Sequence, residues 1–315
     1  MDLISVQRNP TPPGATVGAL PGYDGIALRY ALWEPSASSR KGTVCVFGGR
    51  SEYIEKYFET IADLRHRGFF VATMDWRGQG GSARLLRNPR KGHVENFSDY
   101  GKDLAIFMRE IVLPDCPPPY FALAHSMGGN VLLRAACLKD CWFDRMVLTA
   151  PMLRLIDLPF SEPVVARLTE VAMFLGLGDA YIPGGGKRAT DEQPFKDNAL
   201  TSDKTRFMRN VSVIEAAPEL AIGSPTIGWV HAALDSMDLT GGFDFPTQVH
   251  TPVLMLASGN DTVVDSRAIE ELAMQLKAGA QIVIDGAKHE IMQERDGLRE
   301  QAWAAFDAFI PGGGR

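Results

Sequence analysis

The sequence contains little cysteine, no long hydrophobic run and no excess of basic residues, and each of these absences excludes a class of protein. Its 4 cysteines among 315 residues are too few and too scattered for a disulfide framework, and they lack the paired CxxC spacing of a zinc site. No run approaches the roughly 18 apolar residues of a membrane-spanning helix. Lysine and arginine number 32 against 38 acidic residues, a formal charge of −6, which argues against a nucleic-acid-binding protein.

Hydrophobic residues make up 45% of the chain and charged residues 22%, the balance of a globular protein with a substantial core. The first residues contain no basic segment followed by an apolar run, as a secretory signal peptide would. We therefore expect a cytoplasmic protein, whose contact with a membrane, if it has one, is peripheral.

Short apolar runs alternate with longer helical patterns through the first half of the chain. Strands are predicted over residues 26–33, 43–47, 69–74, 120–124 and 146–149. Helices are predicted between them over residues 53–67, 97–112 and 127–138. Strands without polar alternation that are separated by helices are typical of a mostly parallel sheet covered on both faces. The sequence therefore predicts an α/β fold.

This alternation stops after Pro151. No run from about residue 154 to 245 resembles a buried strand, and helical patterns occupy 164–175, 204–215 and 226–237 instead. The alternation then resumes with strands at 252–257 and 281–284 and helices at 268–277 and 298–310. We therefore expect a core of residues 1–153 and 246–315, interrupted by a helical cap of residues 154–245.

The strongest local signal is Ala124-His125-Ser126-Met127-Gly128-Gly129, at the junction of a predicted strand and a predicted helix. A nucleophilic serine at such a junction needs small residues two positions before and after it, because the backbone turns sharply there. The usual pattern is G-x-S-x-G, from which Ala124 is a small departure. Ser126 could instead only cap the helix, but the preceding strand and the glycines favour a nucleophile. The Met127 N–H would lie at the helix N-terminus, where negative charge is stabilised.

A general base for Ser126 is expected on a loop after a late strand, in the chain order serine, acid, histidine. His289 has this context, because it follows the predicted strand 281–284. The acid should follow the preceding strand, and Asp261 is the first aspartate after it. There Asp261 would orient the His289 ring and stabilise its protonated form. Asp265, four residues later, is interpreted as the cap of the next helix.

Four other histidines are not expected to be the general base. His66 and His250 are expected to be surface or packed residues, and His231 lies in the inserted region, where it could line a pocket. His125 adjoins the serine, but side chains that flank a tight turn point elsewhere, so we expect it to support the turn.

A second N–H donor for an anionic oxygen is expected in the loop after the strand 43–47. This loop reads Gly48-Gly49-Arg50-Ser51-Glu52. Glycine lets the backbone approach a substrate carbonyl, so the Gly49 N–H is assigned as that donor, together with Met127. The alternative is a simple glycine turn.

Three other patterns do not indicate a cofactor or a metal. Gly78-Gln79-Gly80-Gly81-Ser82-Ala83 fits a dinucleotide fingerprint, but the residues after it contain Pro89 and no helical pattern. Gly186-Lys187 has no serine or threonine after the lysine, as a phosphate loop would. His289-Glu290 lacks the second histidine of a zinc-protease helix. We therefore expect neither cofactor nor metal.

Taken together, these residues resemble the monoacylglycerol lipase and lysophospholipase L2 group of α/β hydrolases along nearly the whole core. The motifs that carry the resemblance are Gly48-Gly49-Arg50-Ser51-Glu52-Tyr53, Lys56-Tyr57, Asp75-Trp76-Arg77-Gly78-Gln79-Gly80-Gly81-Ser82, Gly92-His93-Val94, Asp99-Tyr100, Ala124–Gly129, Gly259-Asn260-Asp261 and Gly286-Ala287-Lys288-His289-Glu290. Monoacylglycerol lipases usually carry His-Gly where this chain has Phe47-Gly48. In this respect the chain is more similar to the lysophospholipase L2 branch.

The resemblance implies an α/β-hydrolase fold, a triad of Ser126, Asp261 and His289, and a cap of residues 154–245 over an acyl pocket. It implies hydrolysis of a lysophospholipid or monoacylglycerol ester through an acyl-enzyme, with no nucleic-acid partner and room for a transient contact of the cap with a membrane surface. An aminopeptidase or short-chain carboxylesterase of the same fold, or a non-catalytic binding member, stays an alternative. One apolar stripe of the cap is expected mostly to pack on the core and in part to hold an acyl chain: Val164, Leu168, Val171 and Leu175.

Overall fold

A computed structural model describes residues 2–156 and 158–312, and its strands form one sheet of eight within those ranges, in the order β1-β2-β4-β3-β5-β6-β7-β8. The strands are β1 (Ala15–Pro21), β2 (Ala27–Trp33), β3 (Thr43–Phe47), β4 (Phe70–Met74), β5 (Tyr120–His125), β6 (Arg145–Thr149), β7 (Val253–Ser258) and β8 (Gly279–Ile284). β2 pairs antiparallel with both β1 and β4, and all other neighbouring strands are parallel. The predicted, mostly parallel α/β sheet is confirmed.

The α-helices connect these strands. They are α1 (Phe58–His66), α2 (Ser98–Phe107), α3 (Leu113–Asp115), α4 (Met127–Ala135), α5 (Glu162–Phe174), α6 (Lys204–Ala216), α7 (Ile227–Gly241), α8 (Phe245–Gln248), α9 (Ser266–Gln275) and α10 (Asp296–Phe309). A π-helical turn, Met108–Val112, joins α2 to α3, so the predicted helix 97–112 is continuous but not α-helical throughout. The predicted helix 53–67 likewise begins with a 3-10 turn, Ile54–Tyr57.

The central strands are apolar because helices cover both faces of the sheet. In β3, Cys45 and Phe47 belong to the cluster under α2, α4 and α9, whereas Val44 and Val46 belong to the cluster under α1 and α10. Successive side chains of a strand point to opposite faces, so a doubly covered strand has no polar side. This packing holds the carboxyl ends of β3, β5 and β7 at one edge of the sheet.

Strand β1 was not predicted. It pairs only with β2 at the edge of the sheet, and Leu20 is its one buried residue. A strand that is mostly exposed has neither a continuous apolar run nor a clear alternation, so its sequence carries little signal.

The chain between β6 and β7 contains α5, α6 and α7 and, within its described residues, no strand of the sheet, in agreement with the predicted helical insertion. Asn130 of α4 fastens α7, accepting from the Ser236 hydroxyl at 2.6 Å. His93 Nδ1 lies 2.8 Å from Oγ1 of Thr226, the residue that caps α7. The division into a core and a cap at residues 154 and 245 stays a prediction.

The apolar stripe of α5 is exposed. Val164, Leu168, Val171 and Leu175 are 45%, 54%, 46% and 63% exposed, and none of them lines the cavity around Ser126. The expectation that most of this stripe packs on the core is wrong, because the side that α5 buries carries Val165 and Thr169 instead. Helical periodicity identifies residues that share a face, but not what covers that face. Within the described ranges, no helix combines the length and apolar character that crossing a bilayer requires.

Candidate active site

Ser126 lies on a strained turn between β5 and α4. Its φ of 50° and ψ of −114° are rare for a residue with a side chain, and its N–H donates to the Thr149 carbonyl at 3.0 Å. A methyl group on Gly128 would lie 2.6 Å from the Gly48 carbonyl oxygen, and one on Gly129 would lie 2.9 Å from Pro151. The glycines after the serine are therefore required by the close approach of neighbouring backbone.

The structure brings together the three residues predicted for the triad. Ser126 Oγ lies 3.0 Å from His289 Nε2, and His289 Nδ1 lies 2.8 Å from Asp261 Oδ2. A carboxylate cannot donate, so Nδ1 carries the proton and Nε2 accepts from the serine hydroxyl. Ser126 and His289 are buried, at 8% and 4% exposure. A buried hydroxyl that donates to an imidazole oriented by a carboxylate is the arrangement that activates a serine.

Asp261 is held by the backbone of its own loop as well as by the histidine. Its Oδ1 accepts from the N–H groups of Val263 and Val264 at 2.8 and 3.0 Å. Burial alone would raise the pKa of Asp261, but the hydrogen bond from His289 and these N–H groups outweigh burial and lower it. Asp261 is therefore an ionised, fixed acceptor for His289. Asp265 caps α9, as predicted, by accepting from the Arg267 N–H at 3.0 Å.

His125 packs beneath the triad. Its Nδ1 lies 3.0 Å from the Thr149 carbonyl oxygen, and its ring centre lies 4.7 Å from that of His289. Burial lowers the pKa of His125 to about 4, so this ring stays neutral beside His289 at ordinary pH. These contacts agree with the interpretation that His125 supports the turn.

The loop after β3 passes directly beside the nucleophile. A methyl group on Gly49 would lie 3.1 Å from Ser126 Cβ. The Gly49 N–H donates to Oε2 of Glu52, which also accepts from the Tyr57 hydroxyl at 2.5 Å. Met127 is the first residue of α4, where N–H groups have no acceptor within the helix. The two N–H groups predicted as oxyanion donors therefore lie at the nucleophile, but that of Gly49 is shared with a carboxylate.

The sequence Gly78–Ala83, which was rejected as a dinucleotide site, braces this loop. Residues 78–97 form turns and irregular loop, and the next helix begins only at Ser98. The Gln79 Nε2 donates to the carbonyl oxygens of Gly49 and Glu52 at 2.7 and 3.1 Å. Trp76 Nε1 donates to the Gly48 carbonyl at 2.8 Å. The backbone that approaches Ser126 is thus held by the side chains of Gln79 and Trp76.

A buried ion cluster lies behind the loop. Lys56 Nζ lies 2.6 Å from Glu290 Oε1 and 3.3 Å from Glu52 Oε1. Burial would raise the pKa of Glu52, but Lys56 lowers it, whereas the pKa of Glu290 is raised by burial that Lys56 offsets only in part. Glu52, His125 and Glu290 place one ligand atom each within 4.8 Å of one another, as a metal site would. The Lys56 ammonium already pairs with both carboxylates, so the donor set does not require a metal.

A cavity of about 420 Å³ opens onto Ser126 and His289. Its apolar wall consists of Met152, Leu155, Ile214, Ala221, Trp229 and Val263. Its polar wall consists of Arg50, Glu52, Lys56, Asp191 and Glu290. The inserted region supplies Leu155, Asp191, Ile214, Ala221 and Trp229 to these walls, so the site is built from both parts of the chain.

Some histidines outside the triad lie away from the cavity, and some charged residues around it were not predicted. His231 does not line the cavity, and His66 and His250 are exposed. The roles of Glu52, Lys56 and Glu290 were not predicted, although all three lie in the motifs that carried the resemblance. Charged residues within otherwise buried motifs, next to Gly49 and His289, were the signal that could have found them.

Known proteins are similar to this chain in sequence over most of its length. Residues 38–296 match the family described as "Serine aminopeptidase, S33". The chain is 33% identical to lysophospholipase L2 of Escherichia coli (strain K12) over 299 residues, which cover 92% of this chain and 85% of that one. It is 29% identical to the probable lysophospholipase L2 of Haemophilus influenzae, over 92% of this chain and 90% of that one.

Solved structures share the fold at lower identity. A soluble variant of monoglyceride lipase from Saccharomyces cerevisiae, in complex with a substrate analogue, matches with a TM-score of 0.73 and 19% identity, covering 98% of this chain and 99% of that one. The monoacylglycerol lipase of Paleococcus ferrophilus matches with a TM-score of 0.71 and 19% identity, covering 90% of this chain and 99% of that one. The chain therefore belongs to the serine aminopeptidase S33 family of α/β hydrolases, in the group that includes lysophospholipase L2 and monoglyceride lipase, and is a carboxylic ester hydrolase.

Proposed function

We propose that this chain hydrolyses the ester of a single-chain lipid, a lysophospholipid or a monoacylglycerol, through an acyl-enzyme on Ser126. The observation that carries the proposal is the hydrogen-bonded series Ser126–His289–Asp261, which faces a cavity with one apolar and one polar wall. The apolar wall fits an acyl chain, and the polar wall fits a head group. The names of the relatives support the same substrate class.

Ser126 Oγ attacks the ester carbonyl carbon while its proton passes to His289 Nε2. The bond to the alcohol then breaks, and His289 gives the proton to the departing alcohol oxygen. Water next attacks the acyl carbon and loses a proton to His289. The acid leaves as this proton returns to Ser126. Asp261 stays ionised throughout and stabilises the protonated ring. The chemistry uses neither a metal nor a cofactor.

The oxyanion formed in each step accepts hydrogen bonds from the N–H groups of Met127 and Gly49. Glu52 holds the Gly49 N–H in the free enzyme, but it has Tyr57 and Lys56 as other partners. The developing oxyanion can therefore draw this N–H away without leaving the carboxylate unpaired. One oxyanion donor typically contributes a factor of about 10²–10³ to the turnover rate.

The exposed face of α5 is the surface through which the enzyme contacts a lipid bilayer. Phe174 is 89% exposed and lies on the same helix as Leu168, next to Leu175 at the C-cap. Exposed apolar patches on a soluble fold mark interaction sites, and a single-chain lipid ester reaches the enzyme from a bilayer or micelle. The α5 face lies on the insertion that also supplies Trp229 to the cavity.

The test compares initial rates on a lysophosphatidylcholine and a monoacylglycerol with the same acyl chain, in identical mixed micelles, with Ser126→Ala as the blank. Hydrolysis of either lipid that the variant abolishes supports the proposal. If neither lipid is cleaved above the blank, the lipid substrate is wrong. A faster, Ser126-dependent cleavage of peptide amides would then identify an aminopeptidase, and cleavage of short soluble esters alone would identify a carboxylesterase. If a fluorophosphonate probe fails to label Ser126, the chain is a non-catalytic member of the fold.

A further inference from the structure

Arg50 is a cation in the active-site cavity without a carboxylate partner among the described residues. Its Nη1 donates to the Ser51 hydroxyl at 2.9 Å, and its Nη2 donates to the Gly223 carbonyl at 2.6 Å. The guanidinium lies 5.1 Å from the centre of the Trp229 ring. Its Nε is buried and has no hydrogen-bond partner. Two of the five N–H groups therefore donate to the protein, and the positive charge is compensated only by neutral groups.

The buried Arg29 and Arg77 are neutralised, whereas the half-buried Arg50 is not. Arg29 contacts Glu55 and Asp75 at 2.8 and 2.6 Å, and Arg77 contacts Asp103 at 2.6 Å. A charge removed from water without an opposite charge is unfavourable, and such residues in folded proteins are paired or bind a ligand. Burial accordingly lowers the pKa of Arg50 to about 10. The position of Arg50 thus has the properties of a site that an anion completes.

The place of Arg50 in the chain defines where that anion lies. Arg50 directly follows Gly49, whose backbone packs against Ser126, and both residues line the same cavity. An anion bound there is part of the molecule whose ester faces the serine, on the head-group side. A planar guanidinium matches the oxygens of a phosphate with two parallel donors. A monoacylglycerol has only hydroxyls to offer, and these would leave the charge uncompensated.

We propose that Arg50 binds the phosphodiester of a lysophospholipid and is the residue that makes this site select a lysophospholipid over a monoacylglycerol. This inference rests on the proposed function, since it assigns the head group of the same ester substrate. The fatty acyl chain lies along the wall that contains Met152 and Trp229, and the phosphodiester contacts the side of the Arg50 guanidinium that lines the cavity, through N–H groups not donated to Ser51 or Gly223.

The experiment measures kcat/KM on a lysophosphatidylcholine and a monoacylglycerol of equal acyl length for the native enzyme, Arg50→Gln and Arg50→Lys. Loss of a hydrogen-bonded ion pair of this kind corresponds to about a 10- to 100-fold change in kcat/KM. We expect Arg50→Gln to reduce the ratio of lysophospholipid to monoacylglycerol kcat/KM by that factor, mainly through KM. Arg50→Lys keeps the charge but not the fork, so its ratio should be intermediate.

Arg84→Gln is the matched control. Arg84 also lacks an ion pair among the described residues and donates to a carbonyl oxygen of the inserted region, that of Glu219 at 2.5 Å, but it does not line the cavity. Its substrate ratio should equal that of the native enzyme. If Arg50→Gln lowered kcat/KM equally on both lipids, the proposal would be overturned. Arg50 would then only hold the loop and the inserted region together. Failure to cleave either lipid in the native enzyme would instead contradict the proposed function itself.

An inhibition experiment distinguishes a lipid head group from free phosphate as the anion that Arg50 binds. Glycerophosphocholine should inhibit monoacylglycerol hydrolysis competitively, and Arg50→Gln should weaken that inhibition by the same factor. Inhibition by inorganic phosphate alone, with none by glycerophosphocholine, would overturn the assignment to a lipid phosphodiester.

Discussion

The guanidinium of Arg206 in α6 donates two parallel hydrogen bonds to the carboxylate of Glu59 in α1, from Nε to Oε2 and from Nη2 to Oε1, each 2.7 Å long. Arg209 adds a third at 2.7 Å. Burial would raise the pKa of Glu59, but these arginines lower it to about 2. The pair fastens the inserted region to the sheet-covering helix α1.

This ion pair predicts a pH-dependent stability. A carboxylate whose pKa is lower in the folded protein stabilises the fold above its unfolded pKa, and the stabilisation is lost as the pH falls through the folded pKa. We expect Glu59→Gln to lower the free energy of unfolding by about 1–3 kcal/mol at pH 7. The difference from the native enzyme should shrink between the reference pKa of 4.5 and the folded value of about 2.

Denaturant unfolding at a series of pH values measures this difference. Glu34→Gln is the control, because Glu34 pairs with Arg40 at 3.7 Å while both side chains are about two-thirds exposed, at 70% and 65%. Such an exposed pair contributes little to the free energy of unfolding. A Glu59→Gln deficit that stays constant down to pH 2 would show that its cause is not the ionised carboxylate.

Lys56 predicts a second stability effect, because it is the cation between Glu52 and Glu290. Lys56→Met leaves two buried carboxylates without their cation and should lower the free energy of unfolding by about 3–5 kcal/mol. Adding Glu290→Gln removes one of those charges, so the double variant should be more stable than Lys56→Met alone. A double variant less stable than both single variants, measured by urea unfolding, would be evidence against this charge balance.

Gln79 predicts an effect on turnover. It is a positioning residue, since it donates to the carbonyl oxygens of Gly49 and Glu52 without lining the cavity. Gln79→Met should let the Gly49 N–H move away from the oxyanion. Loss of one oxyanion donor lowers kcat by a factor of about 10²–10³, which is the upper limit for this variant. KM should change much less. Gln301→Met, on the exposed side of α10, is the control. A lower melting temperature with unchanged kcat would mean that Gln79 only stabilises the fold.

The α5 face predicts membrane binding. Leu168→Ser combined with Phe174→Ser removes two apolar side chains that are 54% and 89% exposed. Burial of such side chains in a bilayer contributes about 1.5–3 kcal/mol each, so the partition coefficient onto phospholipid vesicles should fall at least about 10-fold. Met274→Ser, on α9 and 73% exposed, is the matched control. Equal cosedimentation of both variants with the native protein would disprove contact through α5.

The local parts of this structure could be predicted from the sequence. The strand before Ser126 and the helix after it are continuous in the chain, and the turn between them depends on small residues nearby. Asp261 and His289 were found because each follows a predicted strand, β7 or β8, and the carboxyl ends of parallel strands meet at one edge of a sheet. The catalytic roles of these residues stay predictions that the geometry supports.

The remaining features depend on residues that are distant in the chain. Lys56 and Glu290 are 234 positions apart, and no periodicity indicates that they meet. The engagement of the Gly49 N–H by Glu52 depends on how one loop folds back on itself. The exposure of the α5 stripe shows the same limit, since its spacing indicates an apolar face but not that the face is uncovered.

The acyl-enzyme on Ser126 is the central claim, and trapping it is the most direct test. The native enzyme is mixed with a p-nitrophenyl ester of a long-chain fatty acid, quenched in acid within milliseconds, digested and analysed by mass spectrometry. We expect the peptide that contains Ser126 to carry the mass of the acyl group, and Ser126→Ala to show neither adduct nor turnover. Turnover that persists in Ser126→Ala, or an adduct on another residue of the native enzyme, would contradict the account.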